Sequence, residues 1–176
     1  MATRIFHFSD FHINPDCGHP NNNKLFSAIC QHLNQVYKPN PEDSSFIVYT
    51  GDIIDSDRKS NETDEQYRNK IDKSYLLAKN YFEKLMSILE VSSERIVFCP
   101  GNHDKTRAND TVNNDLCSNE VHKAGRIALD GLNPNYNLYS IAYQKYINFT
   151  QMMCGRNQDF KTSFYSKDKF NFSNHE

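Results

Sequence analysis

Three short apolar runs constrain this chain more than any other feature, because each is rich in strand formers and each stops at a polar loop. They are Arg4-Ile-Phe-His-Phe-Ser9, Ser45-Phe-Ile-Val-Tyr-Thr50 and Arg95-Ile-Val-Phe-Cys99. The second and third are continuous, as in strands buried on both faces, and they break at Gly51 and at Pro100-Gly101. Between the runs the apolar period changes. Leu25, Phe26, Ile29, Cys30, Leu33, Val36 and Tyr37 recur at helical intervals over residues 22–37, and Pro39 and Pro41 close that segment. Ile71, Tyr75, Leu76, Ala78, Tyr81, Phe82, Leu85, Met86 and Leu89 form one broad face of a longer helix over residues 65–90. Residues 55–65 are almost wholly polar and read as a loop.

The order strand, helix, strand, helix, strand implies right-handed crossovers and a parallel sheet covered by helices, an α/β fold. Ligands in such sheets bind beyond the C-terminal strand ends. The polar loops at residues 10–14, 51–55 and 101–104 all lie there. After residue 105 the pattern weakens. Residues 106–120 read as a loop, 121–130 and 139–153 as helices, and the last twenty residues have no clear period.

A chain of 176 residues suits a single domain, and 38% hydrophobic with 24% charged residues suits a globular one. The net charge of −2 supplies no field toward nucleic acid or anionic membrane. A non-specific DNA binder is thereby disfavoured, but not a nuclease that holds its substrate through metals. Five cysteines without C-x-x-C spacing read as reduced thiols. No run is long enough to span a bilayer and no leader pattern precedes the first strand, so a cytoplasmic location is expected.

The three loops carry Asp10-Phe11-His12, Gly51-Asp52 and Gly101-Asn102-His103-Asp104. Taken singly these are ordinary: Asp10 could cap a loop, His12 could be solvated, and Gly-Asn is a common turn. Taken together at three strand ends, they suit a metal site. Hydrolysing a phosphate ester needs a nucleophilic hydroxide at neutral pH and neutralised phosphoryl charge, which two nearby cations supply. Mixed Asp, His and Asn donors suit Mn, Fe, Zn or Ni better than Mg or Ca. An extended backbone would point Asp10 and His12 to one side. Asp52 can bridge two cations through its two oxygens, and Asn102 offers a neutral carbonyl. Other histidines read more plainly: His7 as a sheet residue, His32 as surface, His19 and His122 as solvated. Lys161, Lys167 and Lys169 read as a solvated tail rather than a nucleic-acid face.

The set resembles the calcineurin-like metallophosphoesterases, whose N-terminal signature is D-x-H, G-D and G-N-H-[D/E]; the resemblance covers about residues 1–105. It implies the N-terminal part of a four-layer α/β/β/α sandwich with a mostly parallel sheet. It also implies a dinuclear centre, with Asp10, His12 and Asp52 on the first metal and Asp52 and Asn102 on the second. His103 would protonate the leaving oxygen, and Asp104 would orient its imidazole. Gly51 and Gly101 would let the backbone turn sharply near the metals.

Family members also carry a later histidine and a G-H-x-H motif. Neither pattern is present here, and His122 and His175 are poor candidates for them. The expectation is therefore one incomplete domain over 1–176, with a core at 1–105 and a mainly helical and irregular continuation at 106–176. A C-terminal remainder or a partner chain would complete the site. The expected activity is phosphodiester hydrolysis, impaired in this chain, which should also self-associate through an uncovered sheet face. The alternatives are a DNA-repair-type exonuclease of the same superfamily, suggested by Gly51-Asp-Ile-Ile-Asp55, or an inactive remnant acting as an interaction module.

Overall fold

The second apolar run becomes the central strand of a three-stranded parallel sheet with order β1-β2-β3, where β1 is Thr3–Phe8, β2 is Ser44–Thr50 and β3 is Ile96–Cys99. The computed structural model describes residues 2–15, 20–106 and 143–155. Helix α1, Pro20–Val36, links β1 to β2. Helix α2, Asp64–Leu89, links β2 to β3, with one 3-10 turn at Ser93–Arg95. A third helix, α3, covers Gln144–Cys154. The alternation expected over the first hundred residues is thus present, with element ends moved by a residue or two. The helix expected over 139–153 is seen as Gln144–Cys154, residues 139–142 lying outside the described ones. The loop expected at 106–120, the helix at 121–130 and the tail lie outside the described residues, as do His19, His122 and His175.

The ends of α2 show why these residues make a helix there. The Thr63 hydroxyl accepts from the Gln66 amide at 3.2 Å, and the Gln66 side chain accepts from the Thr63 amide at 2.9 Å. That reciprocal pair satisfies donors a helix start leaves open, and Asp64 and Glu65 complement the positive end of the helix dipole. At the far end Glu90 turns left-handed (φ 52°), and the Val91 amide donates to the Met86 carbonyl at 2.9 Å.

Burial of the sheet is one-sided among the described residues, with the uncovered face that the sequence led us to expect. Ser45, Ile47 and Tyr49 of β2 and Ile96 and Phe98 of β3 are buried. Their face carries the aromatic core. Tyr49 meets Phe82 of α2 edge-on at 5.1 Å, Phe98 meets Phe82 at 4.9 Å, and Phe149 of α3 meets Phe98 at 5.4 Å. Each such ring pair adds roughly 0.5–1.5 kcal/mol beyond its area burial. On the opposite face Phe46, Val48 and Val97 are half-buried, Cys99 is exposed and Ile5 is 64% exposed. The physical reason is topological: strands added in chain order through crossovers of one hand place both connecting helices on the same side.

Among the described residues, no helix is long and apolar enough to cross a membrane.

Candidate metal centre

The hydrogen-bond ladder between β1 and β2 does not stop where the strands end. The Asp10 amide donates to the Gly51 carbonyl, the His12 amide to the Asp52 carbonyl and the Ile13 amide to the Ile53 carbonyl, each at 3.0 Å. The Asp55 amide returns a bond to the Ile13 carbonyl at 3.1 Å. The two loops therefore run side by side, and this brings Asp10 and His12 to Asp52. The backbone achieves it in a form that sequence spacing did not suggest. Asp10 (φ 58°), His12 (φ 44°) and Asp52 (φ 59°) are left-handed, not extended. Left-handed residues cost roughly 1–2 kcal/mol each, with Asp and His among the side chains that tolerate them better. Three such residues in one place are strain of the kind that gathers at functional sites.

Asp10, His12 and Asp52 each offer one ligand atom, and those atoms all lie within 4.8 Å of one another. Two carboxylates and an imidazole fit a borderline transition-metal cation. Asp10 is exposed, so the group opens to solvent.

The third loop docks against the second through two glycines. A Cβ on Gly101 would lie 2.1 Å from Asp52 Oδ1 and 2.4 Å from the Asp52 amide nitrogen, so no side chain can stand there. Gly51 (φ 91°) faces it, where a Cβ would come within 3.1 Å of Gly101 Cα. With the loops this close, the His103 amide donates to Asp52 Oδ1 at 2.8 Å. Asn102, exposed, precedes it. The His103 ring stands edge-on to the His12 ring at 4.8 Å between centroids.

Asp104, expected to orient His103, has four backbone partners of its own. Its side chain is fully buried and turned inward. Oδ2 accepts from the amides of Gly101 (2.8 Å) and Asp52 (2.9 Å), and Oδ1 from those of Ile53 (2.9 Å) and Ile54 (3.3 Å). A carboxylate has about four lone-pair sites, and here all four are used by backbone. Burial pushes its pKa up to about 7 and the Asp52 charge adds to that, while the amides of Gly101, Ile54 and Ile53 pull it back. The carboxylates beside the His103 imidazole are instead Asp55 and Asp57, with Oδ1 atoms 3.8 and 3.9 Å from Nδ1. Asp55, Asp57 and His103 also bring one ligand atom each within 4.8 Å of one another. Burial pushes the Asp55 carboxyl up, but the Asn14 side chain, the Asp57 amide and the charges of His103 and Lys70 outweigh it and hold it below its usual value.

Tyrosine hydroxyls brace the loops from the core side. Tyr49 accepts from the Phe11 amide (2.8 Å) and donates to the Asp52 carbonyl (3.3 Å), joining the first two loops. Tyr75 donates to the Asp104 carbonyl (3.0 Å), and Tyr143 to the Gly101 carbonyl (3.2 Å). Periodicity marks Tyr75 as a core residue, and nothing in the sequence marks its hydroxyl as part of the site. Asp55 was visible only within the G-D-x-x-D string, and Asp57 only as one polar loop residue among many.

A family model of calcineurin-like phosphoesterases matches residues 3–172. No curated protein and no solved structure matches the chain.

Proposed function

This chain belongs to the calcineurin-like phosphoesterase family, and from that premise we propose that it hydrolyses phosphodiesters with a pair of cations held by Asp10, His12, Asp52 and Asn102. Metal-dependent hydrolysis of phosphoric esters is the activity class of the family. The observation that carries the finer reading is the convergence of Asp10, His12 and Asp52 beside the His103 ring. Cations bound there would generate a nucleophile from water at neutral pH and offset charge on the phosphoryl oxygens. Asp52 would serve both cations, and Asn102 would add a neutral carbonyl oxygen to the second. With Nδ1 of His103 turned to Asp55 and Asp57, Nε2 is the nitrogen that carries a proton to the leaving oxygen. We read 1–176 as one incomplete domain, with the 1–105 core supplying these groups and the second cation short of ligands among the described residues. A cytoplasmic setting, in which thiols stay reduced, belongs to the same reading.

The purified chain should hydrolyse a generic aryl phosphodiester when supplied with Mn, Fe, Zn or Ni, slowly, and should stop on chelation. Cyclic nucleotides and single-stranded DNA in the same panel separate a small-molecule diesterase from an exonuclease. A chain that takes up no metal would be a scaffold, and the reading would fail.

Tyr49→Phe offers a finer check. It leaves the Phe11 amide without its acceptor and the Asp52 carbonyl with the His12 amide alone. Groups that orient metal ligands typically contribute 10–100-fold to affinity, and a loss of about that size is expected here. Calorimetric titration with Mn would read it, and unchanged affinity would remove Tyr49 from the site.

A further inference from the structure

We propose that Lys70 is a positioning residue, whose buried ammonium holds the loop after β2 so that Asp55 and Asp57 stand beside His103. The inference rests on the acid–base role given to His103 above. Lys70 lies on α2, two turns inside its start, and is 1% exposed. Lysine is almost never this buried unless it is paired. Its Nζ donates to the Asp57 carbonyl at 2.5 Å and to Glu62 Oε2 at 3.0 Å, and lies 5.2 Å from the centre of the Tyr67 ring. Glu62 is itself only 9% exposed on its side chain.

The remaining bonds of the loop show what this pair organises. Glu62 Oε2 also accepts from the Lys59 amide (3.2 Å), and the Glu62 carbonyl accepts from the Arg58 guanidinium (3.0 Å). The Tyr67 hydroxyl donates to the Ser56 carbonyl at 3.1 Å. On the site side, Asp55 Oδ1 accepts from the Asp57 amide and Asp55 Oδ2 from the Asn14 side chain, both at 3.0 Å. The loop is thus fixed by α2 from below and by Asn14 from the front. The Asp57 backbone is held through both of its polar groups: its N–H by Asp55, its C=O by Lys70. If filling space were the only requirement, an apolar side chain would serve as well, since buried ion pairs are commonly replaced by packed apolar groups at no loss of stability. An ammonium at this place does what an apolar side chain cannot, which is to aim a backbone carbonyl.

The test uses the metal-free full chain carrying Lys70→Met with Glu62→Gln. The double change avoids leaving a buried carboxylate alone, and the glutamine side chain keeps an acceptor for the Lys59 amide. NMR of the His103 imidazole, identified by its disappearance in His103→Ala, reads the ring's surroundings. Amide exchange reads the loop. The expected result is a moved His103 signal, approaching its place in Asp55→Asn, with a smaller shift at His12, whose ring stands edge-on to it. Exchange of the Asp57 amide should quicken roughly tenfold or more, while Asp52, Ile53 and Ile54, held by Asp104, keep their protection. Lys70→Arg should restore part of the His103 shift. An unmoved His103 signal and an unchanged Asp57 amide in the folded double variant would overturn the proposal. These readouts need no turnover, so they are independent of whether His103 is the acid; turnover of His103→Ala decides that.

Discussion

Asp52→Ala is expected to strip the chain of its cations, whereas His103→Ala is expected to retain them and to lose turnover by ~10²–10⁴-fold. Asp52 is the residue on which the three loops meet. Its carbonyl accepts from the His12 amide, its Oδ1 from the His103 amide, and its own amide donates to Asp104. Removing the carboxylate takes away the proposed bridging ligand and the brace of His103 at once. Alanine at a φ of 59° adds strain of its own. Asp52→Asn is therefore the cleaner variant, because asparagine tolerates the left-handed region and keeps an oxygen for the His103 amide. It too should lose its cations, having lost the charge that holds them. His103 makes its contact to Asp52 through backbone, so truncating its imidazole leaves that bond in place and costs His12 only its ring contact. Metal content by elemental analysis, measured beside turnover for all three variants, decides the matter. Equal metal loss in His103→Ala would refute the division of roles and move a cation to the Asp55, Asp57 and His103 group.

Asp104→Ala is expected to cost more stability than any other substitution named for this chain. The carboxylate is the shared acceptor of four amides drawn from two loops. A buried donor left without an acceptor costs about 1–3 kcal/mol, and the loops will relax enough that the four do not add fully. A loss of about 4 kcal/mol or more is expected, which for a chain of this size lowers Tm by roughly 10 °C. Asp104→Asn should recover only part, because its amide nitrogen would confront N–H groups where an oxygen stood. Had Asp104 acted by orienting His103, as the signature motif suggested, Asp104→Ala would instead keep its Tm and lose turnover. Thermal unfolding of the metal-free variants distinguishes the two outcomes.

The alternation of strands and helices was legible in the sequence because periodicity and chain breakers are local. Phe82 and Leu85 face the core wherever α2 is placed, and Gly51 ends β2 whatever lies beside it. The three motifs at the strand ends were legible for the same reason. The supports of the site were not. Nothing local distinguishes Asp55 and Asp57 from the other polar residues of the loop they occupy. Nothing in the helical pattern singles out Lys70, which is buried because the loop folds back over it.

That Asp10, His12, Asp52, Asn102 and His103 share one edge of a parallel sheet follows from chain order alone, since each closely follows a strand and parallel strands end on one side. Tertiary structure decided what each carboxylate does there. It ran the first two loops together through left-handed residues, and it pressed Gly101 against Asp52. It turned Asp104 inward onto four amides and left Asp55 and Asp57 to face His103. The physical reason is that a carboxylate can accept from backbone, pair with an imidazole or bind a cation with the same two oxygens. Which of these it does depends on the donors that distant segments bring within about 3 Å, and sequence spacing does not record those.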